Sequence, residues 1–220
     1  IRGLNVTVPH KQGAARACAA LDPVAAQVGA ANTLRRAGAG WEGFNTDAPA
    51  CLELLRAAGL PAGARALLLG AGGAASAAGW ALARAGADVR IAARRPDAAE
   101  ALAERLRAAI DGARAGAVDW EDVADESAGA GAVVNGTSVG LAGREGRLPP
   151  LRLRRDQVVL DFVYGETDLA RAARAAGARL VTGEQVLVRQ GALAFTIWTG
   201  RPAPEAVMAA AVGAGGGSPP

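Results

Sequence analysis

The sequence predicts an α/β protein: a doubly wound parallel sheet with a smaller α/β unit beside it. Three observations carry that prediction. Residues 66–83 read A-L-L-L-G-A-G-G-A-A-S-A-A-G-W-A-L-A, an aliphatic run entering a Gly-rich turn and then an Ala-rich helical stretch. From residue 65 to about 182, strand and helix patterns alternate, which is the signature of parallel strands joined by helical crossovers. Residues 132–135 and 158–161 are apolar and β-branched enough for strands covered on both faces.

In chain order, residues 1–8 (I-R-G-L-N-V-T-V) predict a strand ended by Pro9, and residues 10–20 a helix. Asp22-Pro23 reads as a turn. Residues 30–36 predict a second strand, Gly38 and Gly40 a turn, and residues 41–44 the return. Thr46 or Asp47 is expected to cap a helix over 48–58, with Pro49 tolerated near its start. Residues 59–63 form a Gly-rich connector and a domain boundary. Beyond it come a strand at 66–70, a helix to 85, a strand at 88–92 and a helix over 97–110. A strand near 117–120, the strands 132–135 and 158–161, a helix over 167–176 and a strand at 179–182 complete the pattern. Gly183 opens a helix to about 198, and 205–212 is a short final helix after Pro202 and Pro204. The Gly-, Ser- and Pro-rich tail 213–220 is expected to be disordered.

The Gly-rich turn predicts a phosphate contact. Gly70 lets the chain leave the strand, Gly72 lets backbone approach a pyrophosphate, and Ala75 is small enough for helix to pack on strand. Gly70, Ala71, Gly72, Gly73 and Ala74 are the candidate contacts, helped by the free N–H groups of the helix start. The uncharged run 66–83 is not a membrane span, because four glycines and a serine interrupt it. The end of the next strand lies where an adenosine ribose would sit. A carboxylate there suits a free 2′-hydroxyl, and an arginine suits a 2′-phosphate. This chain has Arg94 and Arg95, with no carboxylate before Asp97. The reading is NADP rather than NAD.

Composition narrows the class. The net charge is +3, from 24 basic and 21 acidic residues, with no long basic run, so nucleic acid is not indicated. Lys11 is the only lysine, which singles it out. Cys18 and Cys51 are too few for a disulfide framework or a metal site, and they suit a reduced cytoplasm. No signal peptide is visible, and no metal is expected.

Four polar clusters are not required by periodicity: Asn5, Thr7 and Lys11; Asn32-Thr33; Asn45-Thr46-Asp47; and Gln190 inside an apolar helix. With a nicotinamide cofactor they make a coherent site. Hydride transfer to a carbonyl needs a proton donor beside the oxygen, and a lysine ammonium can supply it. A nearby carboxylate would hold that ammonium in place. Lys11 and Asp47 fit those roles. His10, the only histidine, is the rival acid or base. Nothing in the sequence ties it to the other clusters, so it is read as structural.

Read together, the motifs resemble the shikimate dehydrogenase family over residues 5–208. They are N-V-T-V-P-H-K (5–11), A-A-N-T (30–33), F-N-T-D (44–47), G-A-G-G-A-A (70–75), N-G-T-S-V-G (135–140), D-F-V-Y (161–164) and G-E-Q-V-L-V-R-Q-G-A (183–192). The resemblance implies NADP-dependent interconversion of 3-dehydroshikimate and shikimate in aromatic amino-acid biosynthesis. It implies that Lys11 and Asp47 are catalytic and that Thr7, Asn32, Tyr164 and Gln190 bind substrate. It places Thr137, Phe162 and Gly183 on the nicotinamide side and Arg94, with Arg95, at the 2′-phosphate. It also implies two lobes: a substrate domain of residues 1–59 and 184–212, and a Rossmann cofactor domain of residues 60–183. The small-molecule substrate would lie between them, in a monomer or homodimer.

The resemblance has departures. The family begins with a strand and helix before the N-V-T strand, and its first strand carries two serines that grip the substrate carboxylate. This chain has no serine before Ser76. The expectation is an incomplete substrate lobe with an open sheet edge. Two charge-assisted hydrogen bonds of roughly 1.5–3 kcal/mol each would be lost, weakening substrate binding about a hundredfold or more. Ala93 and Arg95 replace the Asn and Thr that commonly flank the family's arginine. A quinate/shikimate-type dehydrogenase and a truncated NADP-binding remnant are the alternatives the sequence leaves open.

Overall fold

The structure, a computed structural model, describes residues 1–140 and 146–214. Two sheets organise it. The smaller has the order β1-β3-β4-β2, built from β1 (Gly3–Asn5), β2 (Ala20–Leu21), β3 (Thr33–Ala37) and β4 (Gly40–Phe44). β1 and β4 pair antiparallel with β3, and β2 joins β4 in parallel. Helix α1 (Lys11–Ala17) follows β1 and packs through Ala15 on Ala31 and Leu34.

Asp22-Pro23 is not an isolated turn. Asp22 accepts from the Ala25 N–H at 2.8 Å and caps α2 (Pro23–Val28), with Pro23 at the first helical position. The cap of α3 (Asp47–Ala57) also differs from expectation. Neither Thr46 nor Asp47 caps it with its side chain; Asn45 Oδ1 takes the Ala48 N–H at 3.0 Å. Asp47 is thereby free to turn elsewhere.

The larger sheet is parallel throughout, in the order β10-β9-β8-β5-β6-β7. Its strands and crossovers are β5 (Arg65–Leu69), α4 (Gly73–Arg84), β6 (Asp88–Ala92), α5 (Pro96–Ala109), β7 (Arg114–Ala117), α6 (Val123–Gly129), β8 (Ala132–Asn135), β9 (Val158–Asp161), α7 (Asp168–Ala176) and β10 (Arg179–Val181). Strands β6, β8 and β9 fall where the sequence predicts them. The predicted strand at 117–120 is displaced to β7, an edge strand carrying Arg114 and Gly116, whose pattern lacks an apolar run. β5 lies between β6 and β8, so the chain reverses its direction of winding beside β5. In such sheets ligands bind outside the carboxyl ends of the strands at that point.

Helix α8 (Gly183–Thr199) then returns to the small sheet, and α9 (Glu205–Ala214) packs on α8. Trp198 of α8 donates from Nε1 to the Leu34 carbonyl at 2.9 Å and lies flat on Gly3, where any Cβ would collide with its ring. Arg189 of α8 pairs with Glu53 of α3 and Glu205 of α9. Gly213 and Ala214 belong to α9, against the expected disorder from 213; the remainder of that tail, 215–220, lies outside the described residues.

One hydrophobic core runs from α3 through α4 into the large sheet, joining Cys51 and Leu55 to Trp80, Leu82, Leu68 and Leu106. At Gly79 a Cβ would come within 3.1–3.2 Å of Leu106 and Leu68, so glycine lets α4 sit close on the sheet. Trp80 also donates to Gln27 Oε1 of α2 at 2.7 Å, a polar tie between the two parts.

Candidate active site

The site grows from the starts of α1, β3 and α3 and from the middle of α8. Lys11 is the first residue of α1, and Asp47 the first of α3. Lys11 Nζ lies 2.7 Å from Asp47 Oδ2, with both side chains largely buried. The other oxygen, Asp47 Oδ1, accepts from Asn32 Nδ2 at 3.0 Å. Asn32 is 3% exposed and joins the surrounding groups. Its Nδ2 also reaches Thr46 Oγ1 at 2.9 Å and Gln190 Oε1 at 3.2 Å, while its Oδ1 takes the Thr46 N–H at 2.8 Å. Gln190 comes from α8, far away in sequence, and its Nε2 is held by the Leu187 carbonyl at 2.9 Å.

Cys51, one turn beyond Asp47, is fully buried. Desolvation pushes its thiol well above the usual range, and the Asp47 charge adds to the rise against Lys11. It is an inert wall. Both cysteines are free.

Tyr164 and Thr7 are both exposed. Desolvation raises the Tyr164 phenol, followed by the charges of Asp47 and Glu184. Its loop is held by Glu184, whose Oε1 accepts the Gly165 N–H at 2.6 Å. His10 is exposed, caps α1 without a side-chain hydrogen bond, and takes no part in the cluster.

The carboxyl ends of β5, β6, β8 and β9 carry the remaining candidates. Gly70 has φ +102, and a Cβ there would stand 3.1 Å from the Gly136 backbone. Gly72 precedes α4 in extended conformation with open space around its Cα, a cradle fit for a pyrophosphate. The first N–H groups of α4 point out at that place, and the helix dipole favours an anion there. Arg94 and Arg95 are exposed just past β6. Thr137 follows β8, and Phe162 follows β9. A Cβ on Gly183 would stand 2.7 Å from the Phe162 carbonyl oxygen and 2.9 Å from the Tyr164 ring, so Gly183 lets α8 start against that loop. Among the described residues no His, Cys, Asp and Glu grouping could hold a metal, and no helix is long and apolar enough to cross a membrane.

This arrangement, a charged lysine–aspartate pair facing a Gly-rich dinucleotide turn, has relatives. Residues 1–34 match the shikimate dehydrogenase substrate binding domain, and residues 183–212 match the shikimate 5′-dehydrogenase C-terminal domain. A shikimate dehydrogenase (NADP(+)) of Anaeromyxobacter sp. (strain K) is 71% identical over 211 residues, which is 96% of this chain and 76% of that protein. The chain belongs to the shikimate dehydrogenase family.

Solved structures agree. The shikimate 5-dehydrogenase of Thermus thermophilus, in complex with NADP(H) and shikimate, superposes with a TM-score of 0.81 at 38% identity, covering 97% of this chain and 79% of that one. A quinate dehydrogenase of Corynebacterium glutamicum in complex with NAD gives a TM-score of 0.86 at 31% identity, covering 96% and 77%. Shikimate dehydrogenases thus share both sheets of this chain.

Two polar residues in this region received no role from the sequence. Asn135 and Asp161 close apolar strands β8 and β9 and are 1% and 2% exposed. Their signal was there: each ends an apolar strand and opens one of the motifs quoted above.

Proposed function

We propose that Lys11 and Asp47 are the catalytic pair of an NADP-dependent oxidoreductase that interconverts 3-dehydroshikimate and shikimate. The observation that carries this reading is the 2.7 Å contact between Lys11 Nζ and Asp47 Oδ2 in a chain of this family. The reaction belongs to the shikimate pathway of aromatic amino-acid biosynthesis, and the cofactor is NADP. When bound, the nicotinamide supplies a hydride to the carbonyl carbon or takes one from the alcohol carbon.

The chain's own groups handle orientation and the proton. The Lys11 ammonium donates to the carbonyl oxygen and gives it a proton as negative charge develops there. In the reverse direction Lys11 receives the hydroxyl proton. Proton transfer of this kind contributes roughly 10²–10⁴-fold. Asp47 holds the ammonium, and Asn32 keeps Asp47 Oδ1 occupied so that Oδ2 faces Lys11. In this reading Thr7, Asn32, Tyr164 and Gln190 bind the substrate's hydroxyls and ring. Gly70, Ala71, Gly72, Gly73 and Ala74 hold the pyrophosphate, Arg94 and Arg95 the 2′-phosphate, and Thr137, Phe162 and Gly183 border the nicotinamide. Residues 1–59 and 184–212 form the substrate lobe, residues 60–183 the cofactor lobe, and the protein works as a monomer or homodimer.

The test is NADP⁺ reduction by shikimate and by quinate, with Lys11→Ala as the control. Turnover with shikimate, abolished in Lys11→Ala while the NADP⁺ Kd stays within about twofold, is the expected result. Loss of NADP⁺ affinity in that variant would remove Lys11 from the substrate side. Preference for quinate would reassign the substrate.

A further inference from the structure

Asp161 is a buried carboxylate that the proton transfer does not use. It faces Asn135 in the register of the parallel pair β8–β9, at the carboxyl end of both strands. Asp161 Oδ1 accepts from Asn135 Nδ2 and from the Val163 N–H, both at 3.0 Å. Its Oδ2 accepts from Thr167 Oγ1 at 2.6 Å, and Thr167 in turn caps α7 by accepting the Ala170 N–H at 2.9 Å. The network extends sideways. Asn135 Oδ1 takes the Thr137 N–H at 3.1 Å and the Thr137 hydroxyl at 2.7 Å. The Thr137 hydroxyl oxygen then accepts the Val139 N–H at 3.1 Å.

The turns after two adjacent strands are therefore each folded on the side chain that ends the strand, and the two side chains are bonded to each other. Thr137 sits on one turn and Phe162 on the other. Taking a carboxylate out of water is costly unless donors surround it. Burial still holds this carboxyl above the ordinary range despite its three donors. A neutral residue would close the fold here more cheaply, so a structural role alone does not account for the charge. What an ionised carboxylate adds is acceptor capacity at both oxygens, enough to draw three separate donors to one point.

We propose that Asp161 is a positioning residue for the nicotinamide end of the cofactor, setting the Thr137 and Phe162 turns relative to each other through Asn135, Val163 and Thr167. The inference rests on the reading that those turns border the nicotinamide. The adenosine end is served by Gly72, Arg94 and the start of α4, to which this network makes no hydrogen bond, although Gly136 between Asn135 and Thr137 packs on Ala75 in the first turn of α4. The two halves of the cofactor should therefore respond differently to loss of the carboxylate.

The experiment is calorimetric titration of Asp161→Ala with NADP⁺ and, separately, with 2′,5′-ADP, which carries the adenosine half and 2′-phosphate without nicotinamide. Steady-state kinetics run beside it. The expected result is an NADP⁺ Kd raised about tenfold or more, as for loss of groups that lock a site's geometry, with the 2′,5′-ADP Kd within twofold of wild type. The value of kcat falls, the shikimate KM stays within twofold, and Asp161→Asn, which keeps one acceptor for Asn135 and Val163 but loses the one for Thr167, recovers only part of the loss. Equal weakening of both ligands, or no change in either, overturns the proposal. If Asp161→Ala does not fold, Thr167→Val removes the donor to Oδ2 and is read on the same two ligands, with the same expectation. Failure of the underlying functional reading shows separately, as a wild-type protein that does not oxidise shikimate with NADP⁺.

Discussion

The methylene chain of Lys11 rests on Gly73: a Cβ added at Gly73 would stand 3.3 Å from Lys11 Cδ and 3.4 Å from Lys11 Cβ. The candidate proton donor thus leans on the first residue of α4, the helix whose N-terminus would meet the phosphates in the proposed reading. Gly73→Ala adds a methyl against that stem while keeping a good helix former at the helix start. The ammonium should shift by a few tenths of an ångström, and catalytic rates are sensitive to such displacement. The expected outcome is a kcat reduced roughly tenfold with a smaller rise in the NADP⁺ Kd, measured by steady-state kinetics and titration. Gly72→Ala is the contrast, since its added Cβ meets nothing within 4 Å and faces the cofactor side instead. There the NADP⁺ affinity should fall.

Arg94 and Arg95 are exposed beyond β6, where the 2′-phosphate of NADP would meet them in the proposed reading. Charge-assisted hydrogen bonds contribute about 1.5–3 kcal/mol each. Arg94→Ala should raise the KM for NADP⁺ by roughly ten- to a hundredfold and leave the affinity for NAD⁺ unchanged. A matched loss with both cofactors would place the arginine away from the 2′-phosphate.

Gln157 is fully buried and saturated. Its Nε2 donates to the Ser127 and Ala130 carbonyls at 2.7 and 2.8 Å, and its Oε1 takes the Arg154 N–H at 2.7 Å. Gln157→Leu keeps the volume, orphans the Ser127 carbonyl and the Arg154 N–H, and leaves the Ala130 carbonyl only a 3.4 Å bond from the Arg154 guanidinium. A cost of about 3 kcal/mol is expected, lowering Tm by roughly 6–12 °C in a thermal melt, with kcat unchanged below the transition.

Asp161 sets the sign of a pH effect. Desolvation is the largest cause of its raised pKa, opposed by hydrogen bonds from Thr167, Val163 and Asn135, with the Glu184 charge adding to the rise. The native state therefore holds a proton on Asp161 at pH values where the unfolded chain, titrating near about 3.9, has lost it. Native binds more protons than unfolded in that window, so this group's contribution to stability falls as pH rises from about 4 to the raised value, and is flat above it. Urea unfolding of wild type and Asp161→Asn across that range should differ in slope in this direction. Parallel curves would show that the carboxyl titrates alike in both states.

Much of this architecture is legible locally. The Gly-rich turn, the strands β6, β8 and β9 and the helix start at Gly183 follow from chain stiffness and apolar patterning, properties of neighbours in sequence. Local reading failed where context decides. Asp22-Pro23 looks like a turn but opens α2, because a capping carboxylate and a first-position proline have the same appearance in both settings. Asn45, rather than Thr46 or Asp47, caps α3, because only the fold shows that Asp47 is engaged by Lys11.

The sequence by itself determined the fold class, the cofactor-type turn, the arginines after β6 and the polar residues that folding does not require. It also determined the family, since seven motifs in one order are hard to reach by chance. Only the tertiary structure decided how those polar residues meet. It set Asn32 between Asp47 and Gln190, bonded Asn135 to Asp161 across two strands, and laid Lys11 against Gly73. The physical reason is separation: Asn32 and Gln190 lie 158 positions apart. Periodicity reports which face of an element is buried, while the partner on that face is chosen by packing between elements.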